Sequence, residues 1–230
     1  MTPKTALITG TSRGLGLALA QALAGRGWQL IIDGRNPATL HAAVDPLASQ
    51  TNLIVLPGDV TQASHRRALA VAARSLGGLD AVINNAGILG PSPQPILRDY
   101  PLDRLAELYQ VNVFAPLGVI QAVQAMLRPG ATIINVSSDA GVEAYEGWGG
   151  YGSSKAALEQ LSAVLAEENP DWRVYWVDPG DMRTQMHQEA FPHEDISDRP
   201  EPSASVPGFL ALLEGNYPSG RYRAREVANE

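Results

Sequence analysis

Two residues four positions apart carry the clearest chemical signal in this chain. Tyr151 and Lys155 bracket the run Tyr151-Gly152-Ser153-Ser154-Lys155, and Lys155 is one of only two lysines, with Lys4, against fifteen arginines. Seven tyrosines and two lysines spread over 230 residues would form about 0.06 such pairs by chance, so the pair reads as selected. On a helix, positions i and i+4 stack on one face. An ammonium beside a phenol favours the phenolate and is expected to lower the Tyr151 pKa. A compact lysine charge does this differently from the planar arginine fork. A tyrosine tuned toward neutral pH serves as a general acid or base. Taken alone, the pair could also be an ordinary surface Tyr/Lys contact on a helix.

The rest of the chain supplies a scaffold for that pair. A length of 230 residues, 45% apolar content and 18% charged residues fit one globular domain over 1–230. A formal charge of −7 argues against binding nucleic acid or an anionic membrane surface. Without cysteine there are no disulfides or thiolate metal sites. His41, His65, His187 and His193 show no ligand-like spacing, so no metal is expected. The segment Met1 to Gly10 is too short and too weakly apolar for a signal peptide. No run approaches the ~20 apolar residues of a membrane helix. A cytoplasmic location is expected.

Short apolar runs alternate with helical patterns. Strands are predicted at Ala6–Thr9, Leu30–Ile32, Leu53–Leu56, Leu79–Ile83, Thr132–Val136 and Val174–Val177, with another at Gly220–Arg223. Helices are predicted at Leu15–Arg26, Pro37–Leu47, Gln62–Leu76 with Thr61 as N-cap, Leu102–Leu127, around Tyr151, and at Ser205–Leu213. Continuous rather than alternating apolar strands indicate a parallel sheet covered on both faces. The expected fold is therefore a doubly wound, Rossmann-type α/β domain of about seven strands with helices on both faces. Residues 181–219, rich in proline and charge, are expected to include a lid over the substrate, centred on Met182 to Pro207.

The first strand runs into Thr9-Gly10-Thr11-Ser12-Arg13-Gly14-Leu15-Gly16. Glycines in a strand-to-helix turn let backbone N–H groups approach a pyrophosphate. The fourth strand runs into Asn84-Asn85-Ala86-Gly87, at the sheet edge where such folds bind ligands; an Asn-rich turn is the plainer alternative. Asp59 ends the third strand, either to receive an adenine amino group or to cap a turn. Asn112 is the polar member of an apolar helical stripe, Leu105, Leu108, Asn112, Ala115 and Val119. A buried amide needs partners, which a neighbouring backbone would also provide. Pro116 cannot donate to the Asn112 carbonyl, which predicts a local kink.

Taken in order, these motifs resemble the short-chain dehydrogenase/reductase family, in its single-domain branch, over roughly residues 4 to 184. The resemblance implies a nicotinamide-dependent oxidoreductase acting on a small carbonyl/alcohol pair. It implies catalytic roles for Asn112, Ser138, Tyr151 and Lys155. Tyr151 would donate the proton, and Ser138 rather than Ser137 would bond the carbonyl oxygen. Lys155 would lower the Tyr151 pKa and hold a ribose, and Asn112 would hold a water in a proton relay. Cofactor contacts are implied at Gly10, Ser12, Arg13, Gly14, Leu15, Gly16, Arg35, Asp59, Val60, Asn85, Ala86, Gly87, Tyr151, Lys155, Pro179, Gly180 and Thr184. Tyr145 and Trp148 line the substrate pocket or simply pack. NADP(H) is the expected cofactor, with NAD(H) as the alternative. Asp33 would favour NAD, but the NAD-selecting acid of the family falls at Gly34, and a one-residue offset turns a side chain to the opposite face. Arg35 and Arg13 sit where a 2′-phosphate would be held. The usual C-terminal Asp-Gly-Gly-like turn is missing, with Gly220-Arg221-Tyr222-Arg223 in its place. A homodimer through the long helices is expected, and a tetramer is left open. The competing reading is a nucleotide-binding regulator of the same fold without catalysis.

Overall fold

The computed structural model describes residues 3–227, so both ends of the expected domain, residues 1–2 and 228–230, lie outside the described residues. Seven parallel strands form one sheet: β1 (Thr5–Ile8), β2 (Gln29–Gly34), β3 (Leu53–Pro57), β4 (Leu79–Asn84), β5 (Leu127–Val136), β6 (Arg173–Asp178) and β7 (Gly220–Arg223). Their order is β3-β2-β1-β4-β5-β6-β7. The direction of winding reverses between β1 and β4, which opens a crevice at their carboxyl ends.

The reason for the continuous apolar runs is visible in the packing. Ala6, Ile8, Leu30, Ile32, Ala81 and Ile83 face one layer, built on α1 (Gly14–Ala24), α2 (Pro37–Val44) and the later helix α8 (Val206–Glu214). Their neighbours Leu7, Ile31 and Val82 face the other layer, with α3 (Ala63–Ser75) and α5 (Ala115–Val123). The remaining helices are α4 (Leu102–Tyr109), α6 (Gly149–Glu168), α7 (Gln185–Ala190) and α9 (Ala224–Val227). Among the described residues, no helix is long and apolar enough to cross a membrane, and no cluster of His, Asp and Glu could hold a metal ion.

Four expectations change. The single helix expected over Leu102–Leu127 is broken: α4, a π-helical turn at Gln110–Phe114, α5 and a 3₁₀ turn at Gln124–Met126 follow one another. Pro116 has no N–H for the Asn112 carbonyl, and the Ala115 N–H reaches back to the Gln110 carbonyl instead. The kink expected there is a widened turn. Strand β5 starts at Leu127 rather than Thr132, because Leu127 pairs with Leu79 across an irregularity in register. Thr61 does not cap α3; Gln62 occupies that position without a side-chain bond.

The fourth change concerns the lid. Helix α8 is core, not cover: Phe209 and Leu212 are fully buried beneath the sheet. A Cβ on Gly208 would stand 1.7 Å from the Ala224 carbonyl oxygen, so α8 is pressed against the chain leaving β7. The covering segment is therefore shorter than residues 181–219 and ends at about residue 205.

Candidate active site

The site is built at the carboxyl ends of the central strands. β1 runs through Thr9 into Gly10, whose φ of +71° requires glycine. A Cβ on Gly16 would lie 2.3 Å from the Gly10 oxygen, so α1 begins as close to the turn as backbone allows. Arg13, at the N-cap position, gives α1 no side-chain cap, which leaves the first-turn N–H groups directed into the crevice. The Asn85 amide donates to the carbonyls of Thr9 (2.9 Å) and Gly10 (3.0 Å), and Thr9 Oγ1 accepts from the N–H groups of Asn85 and Ala86. The asparagine loop thus braces the glycine turn rather than forming a free wall.

An open cleft of about 1100 Å³ runs from this turn past Ser12, Arg35, Asp59 and Val60 to Tyr151 and Lys155. Asp59 Oδ1 accepts from the Thr61 N–H at 2.8 Å, so it caps a turn while still lining the cleft. Asp33 is 1% exposed. Its Oδ1 accepts from the Gly10 N–H (2.8 Å) and its Oδ2 lies 3.1 Å from His65 Nε2. Burial raises the Asp33 pKa, while His65 and the Gly10 N–H oppose the rise. Arg35 is exposed at the cleft wall with no carboxylate partner among the described residues. Arg13 reaches across the cleft and donates to Gln185 on α7.

Tyr151 and Lys155 lie on the inner face of α6, 8% and 5% exposed. Lys155 Nζ stands 5.4 Å from the Tyr151 ring centre and donates to the Val136 carbonyl at 2.8 Å. Burial pushes Lys155 down to about 8, partly opposed by the Glu159 carboxylate. The expected lowering of Tyr151 does not occur. Burial, and then the negative charges of Asp139 and Asp178, raise it, while the nearby Ser138 hydroxyl opposes the rise. Ser138 also donates to Asp139 Oδ1 at 2.8 Å, whereas Ser137 turns inward to Glu159 (2.6 Å). Ser138 is thus the serine on the tyrosine side. Asn112 is enclosed: its Oδ1 accepts from the Ile88 N–H, and its Nδ2 donates to the Ile88 carbonyl and to Ser154 Oγ. A Cβ on Gly87 would lie 3.3 Å from Asn112 Oδ1 and 3.8 Å from Lys155 Nζ, so only a glycine separates the two.

Beyond Tyr151 the cleft opens into a side pocket of about 100 Å³, with Leu89, Ser138, Trp148, Met186 and His187 on its walls. Trp148 meets the edges of Tyr145 and Tyr151 and the ring of Phe191. Tyr145 itself is largely exposed and bonds Asp139 and Glu143. Pro179 lines both spaces, as does Thr184, which also caps α7 by accepting from the His187 N–H. Gly180 adopts φ +72° and donates its N–H to Asp178.

Three participants escaped the sequence reading. His65 was taken as an ordinary polar residue, yet it shares the buried stripe of α3 with Leu69 and Ala72, a signal at helical spacing. Glu159 falls four residues after Lys155, on the same face of α6. Arg221 offered no local signal, because its partners come from β5, β6 and α6.

Residues 182–205 cover the cleft with few buried side chains, and Thr184 touches the glycine turn. Segments of this kind open at low free energy. Amide exchange across 182–205 is expected to be fast without NADPH and slowed when NADPH is added. Equal protection in both states would remove the lid.

The chain matches the family model described as short chain dehydrogenase over residues 4–195. It is 32% identical to the short chain dehydrogenase penD of Penicillium thymicola, over 96% of this chain and 89% of that one. It is 31% identical to the benzil reductase ((S)-benzoin forming) of Saccharomyces cerevisiae, over 81% and 74%. Its fold superposes on a short chain dehydrogenase of Shigella flexneri 2a complexed with NADP, with a TM-score of 0.88, 28% identity and 98% of each chain covered. The chain therefore belongs to the short-chain dehydrogenase/reductase family of oxidoreductases.

Proposed function

We propose that this protein is an NADP(H)-dependent carbonyl reductase in which Tyr151 is the proton donor. One observation carries the reading: Tyr151 stands buried where the long cleft meets the side pocket, with Ser138 on the wall of that pocket and Lys155 beneath the ring. The cleft suits a dinucleotide. The Gly10–Gly16 turn is a cradle that any Cβ at Gly16 would fill, and Arg13 and Arg35 are cations at its far wall. The Shigella flexneri relative with NADP supports that choice.

When bound, the nicotinamide supplies the hydride. The residues of this chain supply the remainder. Gly10, Ser12, Gly14, Leu15 and Gly16 present backbone to the pyrophosphate, with Asp59, Val60, Asn85, Ala86 and Gly87 completing the walls. Pro179, Gly180 and Thr184 close the site from the lid side. Ser138 Oγ bonds the substrate carbonyl oxygen and stabilises its developing charge. The Tyr151 hydroxyl delivers the proton to that oxygen. Lys155 places a positive charge below Tyr151, and Asn112 fixes the loop at Ile88 beside it. The side pocket, walled by Trp148, Leu89 and Met186 with Phe191 behind, suits a ketone bearing an aromatic or compact apolar group; a benzil reductase among the relatives is consistent with that. Exposed Leu102, Phe114 and Val164 support a homodimer through α4 and α6, and a cytoplasmic location completes the reading.

The test is NADPH oxidation against a panel of aryl ketones, 1,2-diketones and aliphatic ketones, with NADPH binding followed in parallel by thermal shift. Turnover of at least one class is expected, fastest with aryl substrates. Tight NADPH binding with no turnover of any carbonyl would replace this reading with that of a catalytically silent nucleotide-binding regulator.

A further inference from the structure

Strand β7 ends the sheet on Gly220-Arg221-Tyr222-Arg223, the run that stands in place of an Asp-Gly-Gly-like turn. Arg221 pairs in register with Trp176 of β6, and its side chain runs beneath the candidate site. Its Nε donates to both oxygens of Glu159, at 3.0 and 3.3 Å. Its Nη2 donates to the Ser138 carbonyl at 3.2 Å and stands 3.8 Å from Asp178 Oδ2. Glu159 in turn accepts the Ser137 hydroxyl. One guanidinium therefore ties together the ends of β5 and β6, the strand β7 and the helix that carries Tyr151 and Lys155.

The charges make this arrangement more than a brace. Glu159 and Asp178 are both buried, and buried carboxylates are costly without a cation and further donors. A planar fork meets several acceptors at once, which an ammonium cannot do. Resting on the reading of Tyr151 as the proton donor, we propose that Arg221 is a positioning residue of the active site: it anchors the Ser138 main chain and offsets Asp178, a carboxylate on the wall of the pocket that Tyr151 lines.

The charged and titratable groups around Tyr151 are Lys155 and Glu159 on α6, Asp139 after β5, Asp178 at the end of β6, His187 on α7, and Arg221 and Arg223 on β7. Asp139 and Asp178 act on the phenol as like charges, and the Ser138 hydroxyl works against them. Without Arg221, the field of Asp178 is unopposed and Ser138 loses its carbonyl anchor. Both changes disfavour the phenolate.

The experiment is a difference titration of tyrosine absorbance in the NADP⁺ complex, each protein measured against its own Tyr151→Phe counterpart so that only Tyr151 is read. Arg221→Gln keeps a donor for Ser138 without the charge, and Arg221→Lys keeps the charge without the fork. The Tyr151 midpoint is expected to rise by about one pH unit in Arg221→Gln and by much less in Arg221→Lys. Asp178→Asn, which removes a negative charge and does not depend on Arg221→Gln folding, is expected to lower it. NADP⁺ affinity is expected to change less than about threefold in all three, as the cofactor cleft is not touched by Arg221. An unchanged midpoint in Arg221→Gln or in Asp178→Asn overturns the proposal, as does an equal rise in the Gln and Lys variants. A Tyr151→Phe protein that keeps wild-type turnover overturns the reading of Tyr151 itself, and the proposal with it.

Discussion

Tyr151→Phe is expected to lower kcat by about 10³-fold, within the range for loss of a positioned general acid, while NADPH binds with unchanged affinity. The substitution removes one oxygen and little else. The ring stays packed against Leu89, Ala140 and Trp148, and Ser138 keeps its bonds to Asp139 and the Ala140 N–H. Steady-state turnover and an NADPH thermal shift together check this; a variant retaining a tenth of wild-type activity would end the assignment. The pH dependence follows from the direction of the shifts. Burial, Asp139 and Asp178 raise Tyr151, so at neutral pH the phenol holds its proton and is ready to donate it. The chain is thus poised for reduction, and alcohol oxidation is expected to accelerate as pH rises. Lys155, held down to about 8, is charged at neutral pH and loses its proton above that value, so reduction is expected to decline there. Lys155→Arg is also expected to be severely impaired. The lysine is 5% exposed between the Val136 carbonyl and the Tyr151 ring, which leaves no room for a planar guanidinium.

The parts of this molecule that the sequence disclosed are those with local periodicity or fixed spacing. The strands are uniformly apolar because both faces are covered, so β1 to β6 could be placed to within a few residues; β5 was the exception, since its first residues pair across an irregularity that leaves no mark on composition. Tyr151 and Lys155 were legible because a helix converts four positions into one face. Ser138 could be preferred to Ser137 only through the resemblance, and the inward turn of Ser137 to Glu159 emerged from the fold. The break at Asn112 was legible in Pro116, but not its form as a widened turn. What stayed hidden depends on partners distant in sequence. The offset to Gly34 had turned Asp33 away from the ribose, but gave no sign that His65, thirty-two residues away, and the Gly10 N–H occupy both of its oxygens. Residues 206–214 read as part of a lid because prolines flank them, yet the apolar face of α8 belongs to the core. The tuning of Tyr151 was misjudged for a related reason: a pairwise rule for Tyr and Lys omits burial and the carboxylates of Asp139 and Asp178, which raise the phenol here.

The ratio of kcat/KM for NADPH over NADH is expected to exceed one in the wild-type protein and to fall by about 10²-fold in Arg13→Ala combined with Arg35→Ala. A hydrogen bond to a charged group contributes about 1.5–3 kcal/mol, so the loss of two such partners accounts for a change of that size. The acid that would ordinarily oppose a 2′-phosphate is out of play. Asp33 is buried and engaged by Gly10 and His65. At the next position, a Cβ on Gly34 would lie 3.5 Å from the Ser12 side chain and 3.2 Å from Leu40, so the strand end is kept small beside the cleft. Arg35 stands exposed on the wall just beyond, and Arg13 is already at the mouth of the cleft through its bond to Gln185. That bond must yield when Arg13 turns to a phosphate, which links cofactor choice to the lid. Dissociation constants for the two cofactors, measured directly, separate this from any effect on turnover: NADPH affinity is expected to weaken in the double variant and NADH affinity to stay nearly constant. A wild-type ratio below one, or a ratio indifferent to the loss of both arginines, would return the assignment to NAD(H).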